Sequence, residues 1–265
     1  MTSGNHRLRR ALRGALRGAP GGDGVGRRPY AAGTFIKLAA LDVVDMAAAA
    51  GFDFIVVDLE HSVLTEREAI ALVRYADVRA LAALVRIPAV DAPLINRLLE
   101  NGAAGVQLSM LRTAEQARLL REAALFPPYG SRSVSLANHV AAGSSLAEHL
   151  SREAADPPLL VGQIETAATE PLERVLRGLD ACFAGTTDLA VSLGVAAASE
   201  RAAAAVASIG GASKEAGIPF GGWAPTACAV AGLGLADADF LVLGSDLQFL
   251  AASLRAAVPH REGQK

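Results

Sequence analysis

The sequence predicts a closed parallel (β/α)8 barrel, and three observations support this prediction. Short apolar runs alternate with helical patterns, which indicates a parallel sheet because each helix returns the chain to the same edge. The runs are apolar on both faces, as in Phe54–Val57, and this is typical of strands buried on both sides. Eight such units fit into about 220 residues, close to the usual ~250 residues of this barrel.

Eight segments are predicted to be strands. They are Thr34–Ala39, Phe52–Glu60, Ala83–Pro88, Gly105–Met110, Leu159–Glu165, Ala181–Asp188, Pro219–Trp223 and Phe240–Asp246. An open doubly wound sheet is the alternative architecture. The first strand–helix turn lacks the Gly-x-Gly-x-x-Gly pattern, so a dinucleotide-binding version of that fold has no support.

Helix start signals stand between these strands. They are Asp42 before Val43–Ala50, a capping box of Thr65 and Glu68, Asp91 with Pro93, and Thr113 with Gln116. Such residues satisfy the free N–H groups of a first helical turn. One long irregular stretch, Pro127–Ser145, separates strands four and five, and long loops on compact domains are often functional.

The chain divides into three predicted parts. Residues 1–29 form a basic helix and a loop, because leucines recur every fourth position with arginines between them from Asn5 to Gly18. Residues 30–258 form the barrel. Residues 259–265 form a flexible tail.

Composition excludes several classes of partner. The chain is 52% hydrophobic and 20% charged, which is enough apolar material for a large core. The first 30 residues hold seven arginines and one acid, so the remainder carries 18 basic against 26 acidic residues. An acidic body with only 5% aromatic residues is a poor match for nucleic acid or an anionic membrane. Two isolated cysteines, Cys182 and Cys228, and an opening segment without an apolar core favour the cytoplasm.

Reactive side chains cluster where the predicted strands end. In a parallel barrel these ends meet at one mouth, where catalysis occurs. The polar residues there are Asp58, Glu60 and His61 after strand two, Arg86 in strand three, Gln163 and Glu165 in strand five, and Gly185, Thr186, Thr187 and Asp188 in strand six. The sequence therefore predicts an active site at this mouth.

Two of these carboxylates suit a metal ion. Glu165 and Asp188 are one βα unit apart and are predicted to face each other, and their hard oxygen atoms favour Mg²⁺ or Mn²⁺ over Zn²⁺. The alternative is that both serve as helix caps. The spacing of His61 and Asp58 favours a carboxylate–imidazole dyad that takes a proton, and the alternative is that His61 is a structural residue. Arg86 either pairs with Asp58 or Glu60, or holds a substrate carboxylate or a developing oxyanion.

Several motifs carry a family resemblance. They are Gly33–Lys37, Ala50–His61, Leu84–Pro88, Asn101–Val106, Thr113–Arg118, Pro127–Ser133, Gln163–Thr166 and Gly185–Gly194. On these motifs the chain resembles the HpcH/HpaI family of metal-dependent pyruvate aldolases, in order from about residue 30 to 257. The resemblance implies a metal-dependent aldolase that cleaves or forms 4-hydroxy-2-oxo acids through a pyruvate enolate and an aldehyde.

The resemblance also implies roles for individual residues. Glu165 and Asp188 match the metal ligands, with Mg²⁺, Mn²⁺ or Co²⁺ as the ion. The remaining matches are His61 with Asp58 as the base, Arg86 on the pyruvate oxygen, Gln163, Gly185, Thr186 and Thr187 at the substrate, and Glu60 and Glu100 as supporting or subunit-contact residues. Family members form homo-oligomers, as trimers or as hexamers of paired trimers, so we expect one here.

The sequence departs from the family pattern at two places, and the second concerns the aldehyde. Thr186 stands where relatives commonly have proline, and Ser133–His139 replaces glycine-rich text. We expect this loop to shape the aldehyde pocket and His139 to reach the mouth. The alternative functions are a citrate-synthase-like enzyme adding an enolate to an acyl thioester, a Schiff-base aldolase acting through Lys37, and a non-catalytic barrel that binds a 2-oxo acid.

Overall fold

The computed structural model describes residues 29–258. Within them, eight parallel strands close into a barrel in chain order. The strands are β1 Ala31–Ile36, β2 Phe54–Asp58, β3 Ala82–Ile87, β4 Gly105–Leu108, β5 Leu159–Ile164, β6 Ala181–Ala184, β7 Phe220–Ala224 and β8 Phe240–Ser245. The first and last strands pair with each other, which confirms the closed barrel and excludes the open sheet.

The helices follow the strands around the outside of the barrel. In the described part of the chain they are α1 Leu41–Ala49, α2 Glu66–Val78, α3 Ala92–Glu100, α4 Ala114–Ala124, α5 Leu146–Ala155, α6 Leu172–Val175, α7 Thr186–Ser192, α8 Glu200–Glu215 and α9 Asp246–Ala257. The capping boxes at Thr65 and Thr113 and the Asp91 cap form as predicted. No helix between residues 29 and 258 has the length and apolar character that spanning a membrane requires.

The barrel interior is apolar along the first residues of the strands and polar at their carboxyl ends. Side chains on one face of a strand alternate along it, so β2 sends Phe54, Val56 and Asp58 inward in that order. The lower layers form one cluster that also contains Phe183 and Phe240, whose ring centroids lie 6.1 Å apart. The last inward position of each strand is therefore held at the mouth by a packed floor.

Every strand differs from its predicted bounds by at least one residue at an end, and the differences reach three residues or more in β1 and β6. The strand β1 begins at Ala31 and ends at Ile36, and the N–H groups of Lys37 and Leu38 turn away to donate to Asp246. The strand β6 ends at Ala184, because Leu189 N–H bonds to the Gly185 carbonyl and so starts α7. Asp188 thus lies in the first turn of a helix.

The long stretch before α5 lies at the end of the barrel opposite the mouth. Each helix returns the chain to the edge where the next strand begins, so the last residues of α2 and α3 mark that edge. The Val140 N–H donates to the Glu100 carbonyl at 3.2 Å, and His139 Nε2 is 3.5 Å from Asp77 Oδ2. The expectation that this loop and His139 reach the mouth of their own barrel is wrong, because α4 carries the chain away from it.

Two predicted parts lie outside the described residues. These are the basic helix and most of the loop within residues 1–29, and the tail of residues 259–265. Their assignments stay predictions.

Candidate active site

A cleft of about 440 Å³ opens at the carboxyl ends of the strands. Its walls come from β1, β3, β5, β6, β7 and β8 and from residues that follow β1, β2, β6 and β8. The lining includes Phe35, Lys37, His61, Arg86, Gln163, Gly185, Thr186, Thr187, Asp188, Trp223 and Ser245. Most of the side chains that the sequence places at the mouth therefore do meet there.

Asp58 anchors one side of this mouth. Its carboxylate is fully buried and accepts two hydrogen bonds from Arg86, at 2.9 Å from Nε and 2.7 Å from Nη2. Lys37 Nζ lies 3.1 Å from the same carboxylate. Burial raises the pKa of Asp58, but the hydrogen bonds and charge of Arg86, with smaller effects from His61 N–H and Lys37, lower it to about 2. Asp58 is therefore ionised at neutral pH.

Arg86 connects this carboxylate to the cleft. Its Nη1 is 3.2 Å from Glu60 Oε2, and its guanidinium carbon lies 4.3 Å from the centre of the Phe35 ring. The guanidinium is buried between two carboxylates and an aromatic face, a geometry that suits its planar shape. The structure thus shows the ion pairs with Asp58 and Glu60.

His61 meets Asp58 in a way the sequence does not reveal. The backbone N–H of His61 donates to Asp58 Oδ1 at 3.2 Å, while the imidazole is 53% exposed and lies 3.7 Å from Glu60. Because Arg86 occupies both oxygens of Asp58, the expected side-chain dyad does not form in this structure. Glu60 is instead the carboxylate beside the imidazole.

Glu165 lies on the other side of the mouth and is 2% exposed. Its Oε1 accepts the Met110 N–H at 2.6 Å, and its Oε2 accepts a hydrogen bond from Gln163. Burial raises the pKa of this carboxyl, the two donors lower it, and the charges of Glu60 and Asp188 raise it further. The net direction is upward, so this carboxylate carries charge that its surroundings do not compensate.

The turn after β6 brings Asp188 to the same place. A Cβ at Gly185 would lie 2.7 Å from Glu165 Oε2, so only glycine allows this approach. Asp188 is exposed in the first turn of α7 and lines the cleft. Thr186 Oγ1 donates to the Trp223 carbonyl at 2.9 Å, which fixes the turn.

This pair of carboxylates fits a hard divalent cation. The charge of Asp188 adds to the cost of ionising Glu165, and a positive ion between the two carboxylates would relieve that cost. No group of three His, Cys, Asp or Glu side chains that could hold a metal occurs within residues 29–258, which argues against a closed site such as structural zinc. Mg²⁺ commonly uses one or two carboxylates and completes its shell with water and substrate.

A family model described as HpcH/HpaI aldolase/citrate lyase matches residues 31–252. The chain belongs to this family. Among curated relatives, the 4-hydroxy-2-oxovalerate aldolase of Novosphingobium aromaticivorans is 33% identical over 175 residues, 64% of this chain and 66% of its own length. The hydroxypyruvate/pyruvate aldolase of Cupriavidus necator is 33% identical over 165 residues, 61% of each chain. The match to these relatives spans less than two thirds of their length.

Solved structures show the same HpcH/HpaI barrel. The HpcH/HpaI aldolase from Desulfitobacterium hafniense DCB-2 superposes with a TM-score of 0.78 at 27% identity, covering 89% of this chain and 95% of that one. The citrate synthase SbnG superposes with a TM-score of 0.78 at 21% identity, covering 97% and 96%. The second likeness concerns the fold alone.

Glu100 ends α3 at the edge of the barrel opposite the mouth, where Asn96 Nδ2 lies 3.5 Å from its Oε1. Its expected role in a subunit contact near the site stays a prediction. The structure also reveals residues that the motifs do not mark, namely Gln107 beside Gln163 and Met110 beside Glu165. Alternation along β4 would have placed Gln107 inward, whereas a backbone N–H donor such as that of Met110 leaves no mark in a sequence.

Proposed function

We propose that this protein is a metal-dependent aldolase that cleaves 4-hydroxy-2-oxo acids to pyruvate and an aldehyde, or runs the reverse condensation. The observation that supports this most is the pairing of a buried, uncompensated Glu165 with Asp188 beside the Arg86 cluster. The names of the similar aldolases agree with a carbon–carbon lyase. A divalent cation held by Glu165 and Asp188, Mg²⁺, Mn²⁺ or Co²⁺, would supply Lewis-acid polarisation of the 2-oxo group.

Arg86 and Lys37 provide the positive charge of the cleft itself. Both line it, and both are held by Asp58, which is ionised at neutral pH. Preorganised charges of this kind stabilise an oxygen that becomes negative during reaction, because they need not reorient. We assign Arg86 to the enolate oxygen and the backbone turn at Gly185 to Thr187, with Gln163, to the rest of the 2-oxo acid.

His61 is the residue placed to move the proton. Its imidazole is half exposed at the cleft and has Glu60 beside it. In cleavage it removes the C4-hydroxyl proton, directly or through a water, as the C3–C4 bond breaks. Glu60 then stabilises the imidazolium, which returns its proton to C3 of the enolate and so gives pyruvate. General-base assistance of this kind contributes about 10²–10⁴-fold in rate.

The Schiff-base alternative finds no support in the geometry of Lys37. Its ammonium pairs with Asp58 at 3.1 Å and donates to the His61 carbonyl at 3.3 Å. A nucleophilic amine must be uncharged and free to attack a carbonyl. Lys37 is instead part of the charge cluster that the mechanism uses.

The test measures pyruvate release from 4-hydroxy-2-oxo acids by the full chain. We expect EDTA to abolish release, added Mn²⁺ to restore it, and Glu165→Ala to lower it by at least about 10²-fold. Glu66→Ala, on the exposed surface, is the control. Undiminished release with EDTA and in Glu165→Ala would contradict the proposal. Free CoA from acetyl-CoA and oxaloacetate would identify a condensing enzyme, and borohydride trapping of pyruvate would identify a Schiff base.

We further propose that the protein is a cytoplasmic homo-oligomer, either a trimer or a hexamer of paired trimers. The helix α9 supports an assembly because Leu247, Phe249, Leu250 and Leu254 are each more than 40% exposed on it, and large exposed apolar patches mark interaction surfaces. The free thiols of Cys182 and Cys228 suit a reducing compartment. Light scattering coupled to size-exclusion chromatography gives the oligomeric state, and a monomer at micromolar concentration would contradict the assembly.

A further inference from the structure

A buried glutamine on β4, Gln107, takes no part in the mechanism above. Its side chain is 0% exposed. The strand register aligns Gln107 with Arg86, and Arg86 with Asp58. Gln107 therefore belongs to the same inward row as the charged cluster, at the level where the barrel floor meets the cleft.

Gln107 begins a chain of two hydrogen bonds that ends on a carboxylate. Its Nε2 donates to Gln163 Oε1 at 2.5 Å, and Gln163 Nε2 donates to Glu165 Oε2. Gln163 is 1% exposed, so water has little access to either bond. The orientation of the middle amide is thus set by its two neighbours.

The direction of this chain is dictated by chemistry. An ionised carboxylate only accepts hydrogen bonds, so Gln163 must turn its NH₂ group toward Glu165 and its oxygen away. The reversed amide would place two oxygens in contact. Gln107 meets the outward-turned oxygen with its own NH₂ group and so holds Gln163 in the orientation that serves Glu165.

This arrangement leaves the side-chain oxygen of Gln107 without a hydrogen bond among the described residues. Its Oε1 is buried and has no hydrogen-bond partner within residues 29–258. Buried polar atoms are nearly always paired, and an exception calls for an explanation. An apolar side chain would fill the same space without leaving an oxygen unpaired. The function of Gln107 therefore lies in its NH₂ group, which donates to Gln163.

Glu165 is also held at its second oxygen. The Met110 N–H donates to Oε1 at 2.6 Å, with Met110 at φ 50°, a left-handed backbone conformation that side-chain-bearing residues rarely adopt. Each oxygen therefore accepts one neutral donor. Each also keeps a further lone pair, which is the state that a metal ligand needs.

We propose that Gln107 is a positioning residue that acts through Gln163 to orient Glu165 toward a divalent cation. This rests on the proposed function, in which Glu165 is a metal ligand. Residues that hydrogen-bond to a metal ligand fix its orientation, and their loss typically weakens metal affinity by roughly 10–100-fold. Gln107 stands one step further out, so we expect an effect near the lower end of that range.

The first test compares Gln107→Met with Leu84→Met, a change in the apolar layer of the same interior. Methionine keeps the shape of glutamine but cannot donate. We expect Mn²⁺ binding to the metal-free full chain, followed by electron paramagnetic resonance of free Mn²⁺, to weaken about tenfold in Gln107→Met and to stay unchanged in Leu84→Met. Resistance to urea should change little in Gln107→Met, because the substitution removes one buried oxygen that is unpaired among the described residues, Gln107 Oε1, and leaves another, Gln163 Oε1, without its donor.

The second test asks whether the effect passes through Gln163. We expect Gln163→Met to weaken Mn²⁺ binding, and Gln107→Met to add nothing in that background, as a double-mutant cycle of coupled residues requires. Multiplying losses in the double variant would overturn the relay. Equally, Mn²⁺ affinity in Gln107→Met within about twofold of the unaltered protein would overturn the role of Gln107.

The failure of the proposed function has a different signature. If Glu165→Ala binds Mn²⁺ as tightly as the unaltered chain, both the metal site and the inference about Gln107 are wrong. If Glu165→Ala loses Mn²⁺ and Gln107→Met does not, the metal site stands and the inference alone fails. Unaltered urea resistance in each variant separates these outcomes from misfolding.

Discussion

Two of the buried carboxylates at the mouth, Asp58 and Glu165, have opposite surroundings. Asp58 is held by two cations, Arg86 and Lys37, and its pKa falls to about 2. Glu165 is held by two neutral donors and faces two further carboxylates, and its pKa is raised. The first is charge-balanced within the fold, whereas the second has charge to offer to a ligand. The contrast separates a carboxylate that supports the site from one that binds.

The largest expected effect on the free energy of unfolding comes from removing the main cation that pairs with Asp58. Arg86→Met leaves Asp58 buried with Lys37 as its one remaining cation among the described residues, and removing one partner of a buried ion pair typically costs about 3–5 kcal/mol of unfolding free energy. Urea denaturation measures this. The control is Arg97→Met, whose partner Glu66 is exposed and whose loss should cost less than about 1 kcal/mol. Equal losses in the two variants would show that Asp58 needs no cation.

The surroundings of Glu165 are tested by adding Mn²⁺, the cation that we expect this carboxylate to bind. Mn²⁺ at 100 times its Kd should raise the unfolding free energy by about 2.7 kcal/mol, because a ligand that binds only the folded state stabilises it. Thermal denaturation with Mn²⁺ and with EDTA measures the difference. Asp58→Asn should keep this response and Glu165→Ala should lose it. If Asp58→Asn lost the response and Glu165→Ala kept it, the metal ligand would be Asp58 and not Glu165.

Acid should reveal the contrast with a smaller effect. The pKa of Asp58 is lower in the folded chain than its ordinary value of 3.8, so its contribution is present above about pH 4 and is lost as the pH falls toward 2. A shift of this size corresponds to about 2 kcal/mol. The raised pKa of Glu165 has the opposite sign, since its contribution is present below the ordinary value and is lost as the pH rises.

Urea unfolding of the metal-free protein between pH 2 and 7 measures both contributions. The difference between the unaltered chain and Asp58→Asn should shrink as the pH falls from about 4 toward 2. A difference that stays constant across this range would mean that Asp58 titrates normally. Glu66→Gln, whose carboxylate is exposed, controls for general acid effects.

The closed barrel could be predicted because its strands are apolar on both faces and its helices carry explicit caps. Strand ends were less predictable. Whether Asp188 ends a strand or opens a helix depends on the hydrogen bond to the Gly185 carbonyl, which no local pattern encodes. The length of 127–145 indicates a long loop, but only the direction of α4 decides which end of the barrel it covers.

The candidate site could be predicted as a set of residues but not as a set of contacts. The spacing of Asp58 and His61 is the same whether the side chain or the backbone N–H makes the bond, and the structure shows the backbone. Gln107 is the one polar residue of the otherwise apolar strand β4. Its meaning depends on Gln163, which is 56 residues away.

The smallest expected effect is that of substituting Glu60, which tests whether this residue supports Asp58 or Glu165. Its carboxylate pairs with Arg86 at 3.2 Å, yet its charge also raises the pKa of Glu165. Glu60→Gln should change the unfolding free energy by no more than about 1 kcal/mol, because Arg86 keeps both bonds to Asp58. Mn²⁺ binding should weaken only about threefold, since a charge that does not coordinate acts weakly through a hydrated mouth. Mn²⁺ titration and urea unfolding, with Glu66→Gln as control, measure the two quantities. A loss of Mn²⁺ as complete as in Glu165→Ala would make Glu60 itself a ligand, and a stability loss as large as in Arg86→Met would place it wholly with Asp58.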